Sequence, residues 1–137
     1  TNMQHVCKKN MKITEKDQTY INQVFTEMRV NVNDRAFKNC IRLPYQTTEE
    51  HDQGIFHVCS TLMRNSEKHR IPFWTECRIG TGRADSFYIN LDLKLYGIIE
   101  VLVTENIANM VNKTKAYNCV VIPYKCGDGA FEYKRTC

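Results

Sequence analysis

Ala84-Asp85-Ser86-Phe87-Tyr88-Ile89-Asn90, followed shortly by Leu95-Tyr96-Gly97-Ile98-Ile99, is the stretch on which the fold turns. From Phe87 onward Ile89, Leu91, Leu93 and Leu95 alternate with Asn90, Asp92, Lys94 and Tyr96. That period of two predicts a sheet with one buried face, continuing through 97–103. Upstream, 72–79 reads as another strand, with Gly80-Thr81-Gly82 as a turn between the two. Residues 55–63 are dense in β-formers and predict a further strand, preceded by a polar loop over 46–54 and followed by a turn near 65–70. A short strand over 37–43 is stopped by Pro44. Nearer the start, Thr14 with Asp17 three residues on marks a helix N-terminus, and Tyr20, Ile21, Val24, Phe25 and Met28 recur at helical spacing until about Arg29. Downstream, 104–114 reads as a polar loop, and 117–126 with 130–137 as a hairpin about Gly127-Asp128-Gly129. The sum is an α+β fold: one N-terminal helix packed on a central antiparallel sheet.

The chain has 137 residues, which predicts a single domain over 1–137. With 42% hydrophobic and 25% charged residues, three prolines and six glycines, it is neither disordered nor fibrous. Its longest apolar stretch, 95–103, is interrupted by Gly97 and Glu100 and falls far short of the roughly 20 residues of a membrane span. A net charge of +4 is mild for a dedicated nucleic-acid binder and reads as solvated basic faces. The aromatics Tyr117, Tyr124, Phe131 and Tyr133, interleaved with Lys115, Lys125, Lys134 and Arg135, read as a half-buried hairpin with a basic face. The seven cysteines contain no Cys-x-x-Cys and no Cys–His pair at zinc spacing, so disulfides in a secreted protein are expected rather than a metal or cofactor. Seven is odd, leaving at least one thiol free or bonded to another chain. The opening Thr1-Asn2 shows no signal sequence and reads as a mature form.

The block Ala84–Asn90 followed by Leu95–Ile99 resembles the central strand pair of the small fungal guanyl-specific ribonucleases, where the pattern is Ala-Asp-Arg, three apolar residues, Asn, then Leu-x-Gly-apolar-Ile. Val6-Cys7 resembles the family's N-terminal Cys, and Lys115-Ala116-Tyr117-Asn118-Cys119 its closing Asn-aromatic-x-x-Cys segment. Trp74 beside Pro72 and Leu43-Pro44-Tyr45 fall where the family has Glu-Trp-Pro and Tyr-Pro-His. The resemblance spans about residues 5 to 120 and implies a microbial ribonuclease-like fold. It also implies a bridge between Cys7 and Cys119. Cys119–Cys137 with Cys7–Cys126 is the competing set, Cys40–Cys59 a further bridge, and Cys77 the odd thiol.

Ribonucleolysis of this kind requires a base, an acid and a cation around the scissile phosphate. The alignment puts Tyr45, Phe73, Ser86 and Val101 at the family's catalytic positions, so the resemblance implies a pseudoenzyme with no catalytic residues. A rearranged active site built from Glu76, two residues past Trp74 on the same strand face, and His57 is the alternative. His51 flanks the same region.

A secreted, cysteine-rich, catalytically empty ribonuclease-like domain resembles the effectors of powdery mildew fungi, whose mark is an aromatic-x-Cys near the mature N-terminus; here the triplet is His5-Val6-Cys7. The resemblance implies a monomer that enters the host plant cell and binds plant proteins to modulate immunity, with RNA as a weaker ligand class. It further implies a virulence role and avirulence through recognition by intracellular immune receptors. The loops at 46–54, 65–70 and 104–114 would carry the contacts. Asn112-Lys113-Thr114 is a glycosylation sequon. An active endoribonuclease and an unrelated secreted cysteine-rich binding protein are the rival readings.

Overall fold

The computed structural model describes residues 5–7, 11–44, 47–65, 68–115, 117–127 and 129–131. In chain order the elements are β1 (His5–Cys7), α1 (Glu15–Met28), a 3-10 helix (Val32–Phe37), β2 (Cys40–Arg42), α2 (Glu49–Asn65), β3 (Phe73–Ile79), β4 (Gly82–Asn90), β5 (Leu95–Leu102), α3 (Ile107–Thr114) and β6 (Val120–Lys125). β1 and β2 form a small antiparallel ladder. The main sheet has the order β3-β4-β5-β6. β3, β4 and β5 run antiparallel, with Phe87 opposite both Trp74 and Ile98. β6 lies parallel to β5, so the sheet is mixed rather than wholly antiparallel. The α+β class holds.

α1 starts as its sequence dictates. The Thr14 N–H donates to the Asp17 carboxylate at 2.9 Å while the Asp17 N–H donates to Thr14 Oγ1 at 3.2 Å, a reciprocal cap that satisfies otherwise orphaned donors. Arg70 closes on the same carboxylate and on Asp92, tying α1 to the segment ahead of β3 and to the turn after β4. The helix ends at Arg29 in the left-handed conformation, φ 55°. Its inner face, Ile21, Val24, Phe25 and Met28, packs on one face of the sheet against Trp74, Phe87, Ile89 and Ile98.

The other face of the sheet is covered by α2, which corrects the reading of 46–54 as loop and 55–63 as strand. Isoleucine, phenylalanine and valine at 55, 56 and 58 favour strands by composition, yet Ile55, Val58, Cys59 and Leu62 also fall at the i, i+3, i+4, i+7 positions of a helix. Those four side chains are buried against Ile41, Phe73, Tyr88, Ile99 and Val101. Gly54 sits where α2 comes nearest the sheet: a Cβ there would stand 2.6 Å from Val101 Cγ1 and 2.8 Å from Cys126 Sγ.

Three further expectations are corrected. The alternation from Phe87 to Leu95 is not one strand: Asn90 Oδ1 accepts the N–H groups of Asp92 (3.2 Å) and Leu93 (3.0 Å), Lys94 takes φ 56°, and the chain reverses into β5. Residues 107–114, expected as polar loop, form α3, capped by the Asn106 side chain on the Asn109 N–H. The first arm expected of a terminal hairpin, Tyr117 to Cys126, pairs elsewhere: β6 lies beside β5, while Asp128 and 132–137 lie outside the described residues. Gly97 permits that parallel contact, because a Cβ would meet Val120 O at 2.9 Å and Tyr88 Oη at 2.7 Å.

The disulfide expectations are also revised. Cys40 is disulfide-bonded, and in the β1–β2 ladder its Cα partner is Cys7. Cys59, Cys77, Cys119 and Cys126 are free thiols, so the bridges Cys7–Cys119, Cys40–Cys59, Cys119–Cys137 and Cys7–Cys126 are not formed. The physical reason is placement: the chain start pairs with β2, while Cys119 packs on the α1 side of the sheet beside Tyr96 and Tyr117. Cys77 is free as expected, but it is not the only one.

Replacing an exposed mid-helix glycine by alanine normally stabilises by about 1 kcal/mol. Gly54→Ala should do the reverse, lowering stability by about 1–3 kcal/mol in urea unfolding, because the added methyl overpacks against Val101 and Cys126. In native protein, Cys59 and Cys77, both fully buried, should resist thiol labelling until denaturant is added.

Candidate functional site

Of the residues that the ribonuclease resemblance sets at catalytic positions, Phe73, Ser86 and Val101 are all buried. Phe73 and Val101 belong to the core beneath α2, and Ser86 is fully buried on β4. Ser86 lies against the Cys59 thiol of α2; burial pushes that thiol far up and the serine hydroxyl pulls it slightly back. Tyr45 lies outside the described residues. Phe73 and Ser86 are thus sealed beneath a helix, and Val101 is buried at its margin, where it borders the cleft described below.

The titratable groups gather instead at the edge of that helix. Glu76 adopts φ 48°, a left-handed conformation uncommon for a glutamate. This turn shifts the strand's alternation: Trp74 and Cys77, rather than Trp74 and Glu76, share the α1 core. The expectation that Glu76 shares a face with Trp74 is therefore corrected. Its side chain is 10% exposed and lies 3.7 Å from Arg83 Nη1. Burial, then the neighbouring Asp85 charge, raises its pKa to about 7, against the pull of Arg83, His51 and Arg42.

Asp85 is held between two elements. One carboxylate oxygen accepts the Val101 N–H at 2.7 Å, and the other lies 3.4 Å from His51 Nε2 on α2. The Asp85 contact raises the His51 pKa, with burial opposing and Glu76 and Asp52 assisting. His57 is elsewhere: its Nε2 accepts the Phe131 N–H at 2.9 Å and its ring faces Tyr124 at 5.8 Å. The Glu76–His57 pair of the alternative reading is not formed, and His51 takes the place of His57. Once 49–65 is read as a helix, His51 falls in phase with Ile55 and Val58, which is the signal that could have found it.

Around Asp85 opens a cleft of about 600 Å³, with Thr47, Thr48 and His51 from the start of α2, Arg83, Glu100 and Val101 from the sheet, and Glu105 and Tyr117 on the far wall. Tyr117 Oη leans over Gly82, whose hydrogen leaves room for it: a Cβ would come within 2.2 Å. Burial, Glu100 and Asp85 push the Tyr117 hydroxyl up to about 12. Three carboxylates of the wall, Asp85, Glu100 and Glu105, face Arg83 and His51, so the cleft is unfavourable for a phosphate group. Among the described residues no cluster of three His, Cys, Asp or Glu could hold a metal. Asn112 of the sequon is exposed on α3, while the Thr114 hydroxyl is buried and donates to Met110 O at 2.8 Å.

A second charged cluster is structural. Asp34 receives the Arg78 N–H (2.9 Å) and Nε–H (3.1 Å), and buried Arg42, 3.5 Å away, also donates to Thr75 O at 2.6 Å and stacks over Phe37. Burial raises the Asp34 pKa, but the arginines outweigh it and hold the carboxyl below its usual range.

The chain matches no family model, no curated protein and no solved structure.

A carboxyl whose pKa is raised on folding is stabilising only while protonated in the folded state; its cost appears above the unfolded pKa and is complete above the folded one. For Glu76 that window runs from 4.5 to about 7. His51, also raised, contributes stability below its unfolded value of 6.5 and loses it as pH rises further. Stability should therefore fall between pH 5 and 8. Glu76→Gln should flatten the fall by on the order of 2 kcal/mol, measured as urea midpoints across that range.

Proposed function

We propose that this protein is a ribonuclease-like pseudoenzyme acting as a secreted fungal effector, which enters the host plant cell and binds host proteins to modulate immunity. The observation that carries the non-catalytic part is the burial of Phe73, Ser86 and Val101 under α2. No proton can be moved by phenylalanine or valine, and a helix occupies the face an RNA chain would need. The ribonuclease-like part is supported by α1 lying against β3-β4-β5, with Ala84–Asn90 and Leu95–Ile99 in the two inner strands of the sheet. Secretion, host entry and immune recognition rest on the resemblance of the sequence to powdery mildew effectors.

Binding work falls to what the fold leaves outside. Of the loops expected to carry it, 104–114 contains α3, which exposes Ile107 and Val111 one turn apart. The segment 46–54 contains the first turns of α2, and Phe56 further along that helix is also exposed. An active endoribonuclease is the second reading, favoured by a carboxyl of pKa about 7 beside a histidine.

Incubation with guanosine-containing RNA from pH 4 to 8 should give no cleavage above the buffer control. Affinity capture from host leaf extract should retain a defined plant protein, and exchange of Ile107 and Val111 for serine should weaken that capture. Cleavage abolished by Glu76→Gln or His51→Ala would overturn the pseudoenzyme reading and establish the second one.

A further inference from the structure

The apolar stripe that seats α2 begins at Gly54 and Ile55; the turns before it, Glu49 to Gln53, are polar. Most of their side-chain bonds stay within the segment: the His51 N–H donates to Thr48 Oγ1, Gln53 to Glu49, and Thr47 to Asp52. Among the described residues, two contacts tie these turns to the sheet. One is His51 Nε2 to Asp85 at 3.4 Å; the other is the weak Cys126 thiol donor on Glu50 O at 3.5 Å. Asp85 is itself fixed by the Val101 N–H. The helix is therefore anchored by packing from residue 54 onward, and before it by the half-buried His51 on Asp85 and the weak Cys126 contact.

We infer that the first turns of α2 form a proton-operated clasp over the cleft: protonated His51 holds residues 47–53 to Asp85, and with His51 neutral those residues swing off the sheet and the cleft opens. Every charge facing the pair acts within this scheme. Glu76 faces Asp85 and Arg83 from β4, His51 from α2 and Arg42 from β2. His51 faces Asp85, Glu76 and its helix neighbour Asp52, and across the cleft Arg83, Glu100 and Glu105. Raising the pH removes the positive charge that Asp85 holds. Ionised Glu76 favours the charged form of His51 and so keeps the clasp closed to higher pH; the clasp opens once His51 has lost its proton. His51 binds its proton more tightly while it touches Asp85, so acid closes the clasp and base opens it. The segment suits this role because local opening draws on parts held by few apolar contacts.

The test is hydrogen exchange of the whole chain at pH 6 and pH 8.5, corrected for intrinsic rates and read by peptide. Protection of 47–53 should drop roughly tenfold at the higher pH while 55–65 keeps its own. His51→Ala should give the low value at both pH values. Glu76→Gln at pH 8.5 should keep less protection than the parent, since the negative charge that favours protonated His51 is absent. Equal protection of 47–53 at both pH values, or a loss shared equally by 55–65, overturns the clasp. So does acid protection that survives in His51→Ala, or identity of Glu76→Gln with the parent at pH 8.5.

Discussion

A three-stranded meander with bulky apolar side chains on both faces cannot leave either one to water, and most of this molecule depends on how the second face is closed. α1 covers Trp74, Phe87, Ile89 and Ile98. α2 must cover Phe73, Tyr88, Ile99 and Val101, and its approach is close enough that only glycine fits at position 54. Burying a side chain such as leucine or isoleucine contributes about 1.5–3 kcal/mol, and α2 buries Ile55, Val58 and Leu62 together. Where the sheet runs out beyond the helix's apolar stripe, the polar turns of α2 overhang its edge. Asp85, Glu76 and the cleft lie under that overhang.

The two charged clusters differ in consequence because they differ in satisfaction. Asp34 meets two arginines, of which buried Arg42 also finds backbone carbonyls and Arg78 the Asn31 side chain, so the cluster locks the 3-10 helix to β3. Removing one partner from such a buried pair leaves an uncompensated charge, at a cost of about 3–5 kcal/mol. Glu76 meets Arg83 only at 3.7 Å, and Asp85 stands next to it. One cluster is settled at all ordinary pH values, and the other changes charge within the range cells use.

How much of this was legible in the sequence depends on whether local and tertiary preferences agreed. The capped start of α1 and its end near Arg29 agreed with packing, as did 72–79 as a strand and the pairing of Ala84–Asn90 with Leu95–Ile99. α2 did not. Its β-branched and aromatic residues matched a strand locally, and the sheet face waiting for a helix was invisible along the chain. That error moved the site, because without the helical phase His57 rather than His51 was paired with Glu76. The left-handed turn at Glu76 carries no glycine or asparagine to announce it, so alternation from Trp74 misplaces its side chain. The cysteine count pointed to bridges, yet spacing cannot reveal that Cys59 and Cys77 are simply apolar filling in two different cores.

The parallel pairing of β6 with β5 bears on the order in which the chain acquires its shape. β3, β4 and β5 are joined by tight turns and can zip together from contacts close in sequence, whereas β6 reaches its place only after the chain has crossed through α3. Loop closure over such a crossover comes late and slowly relative to a hairpin. Until it happens the free edge of β5, from Gly97 to Leu102, is an open template for another strand. α3 and β6 thus act, during folding, as a cover that arrives last over the most association-prone edge of the molecule.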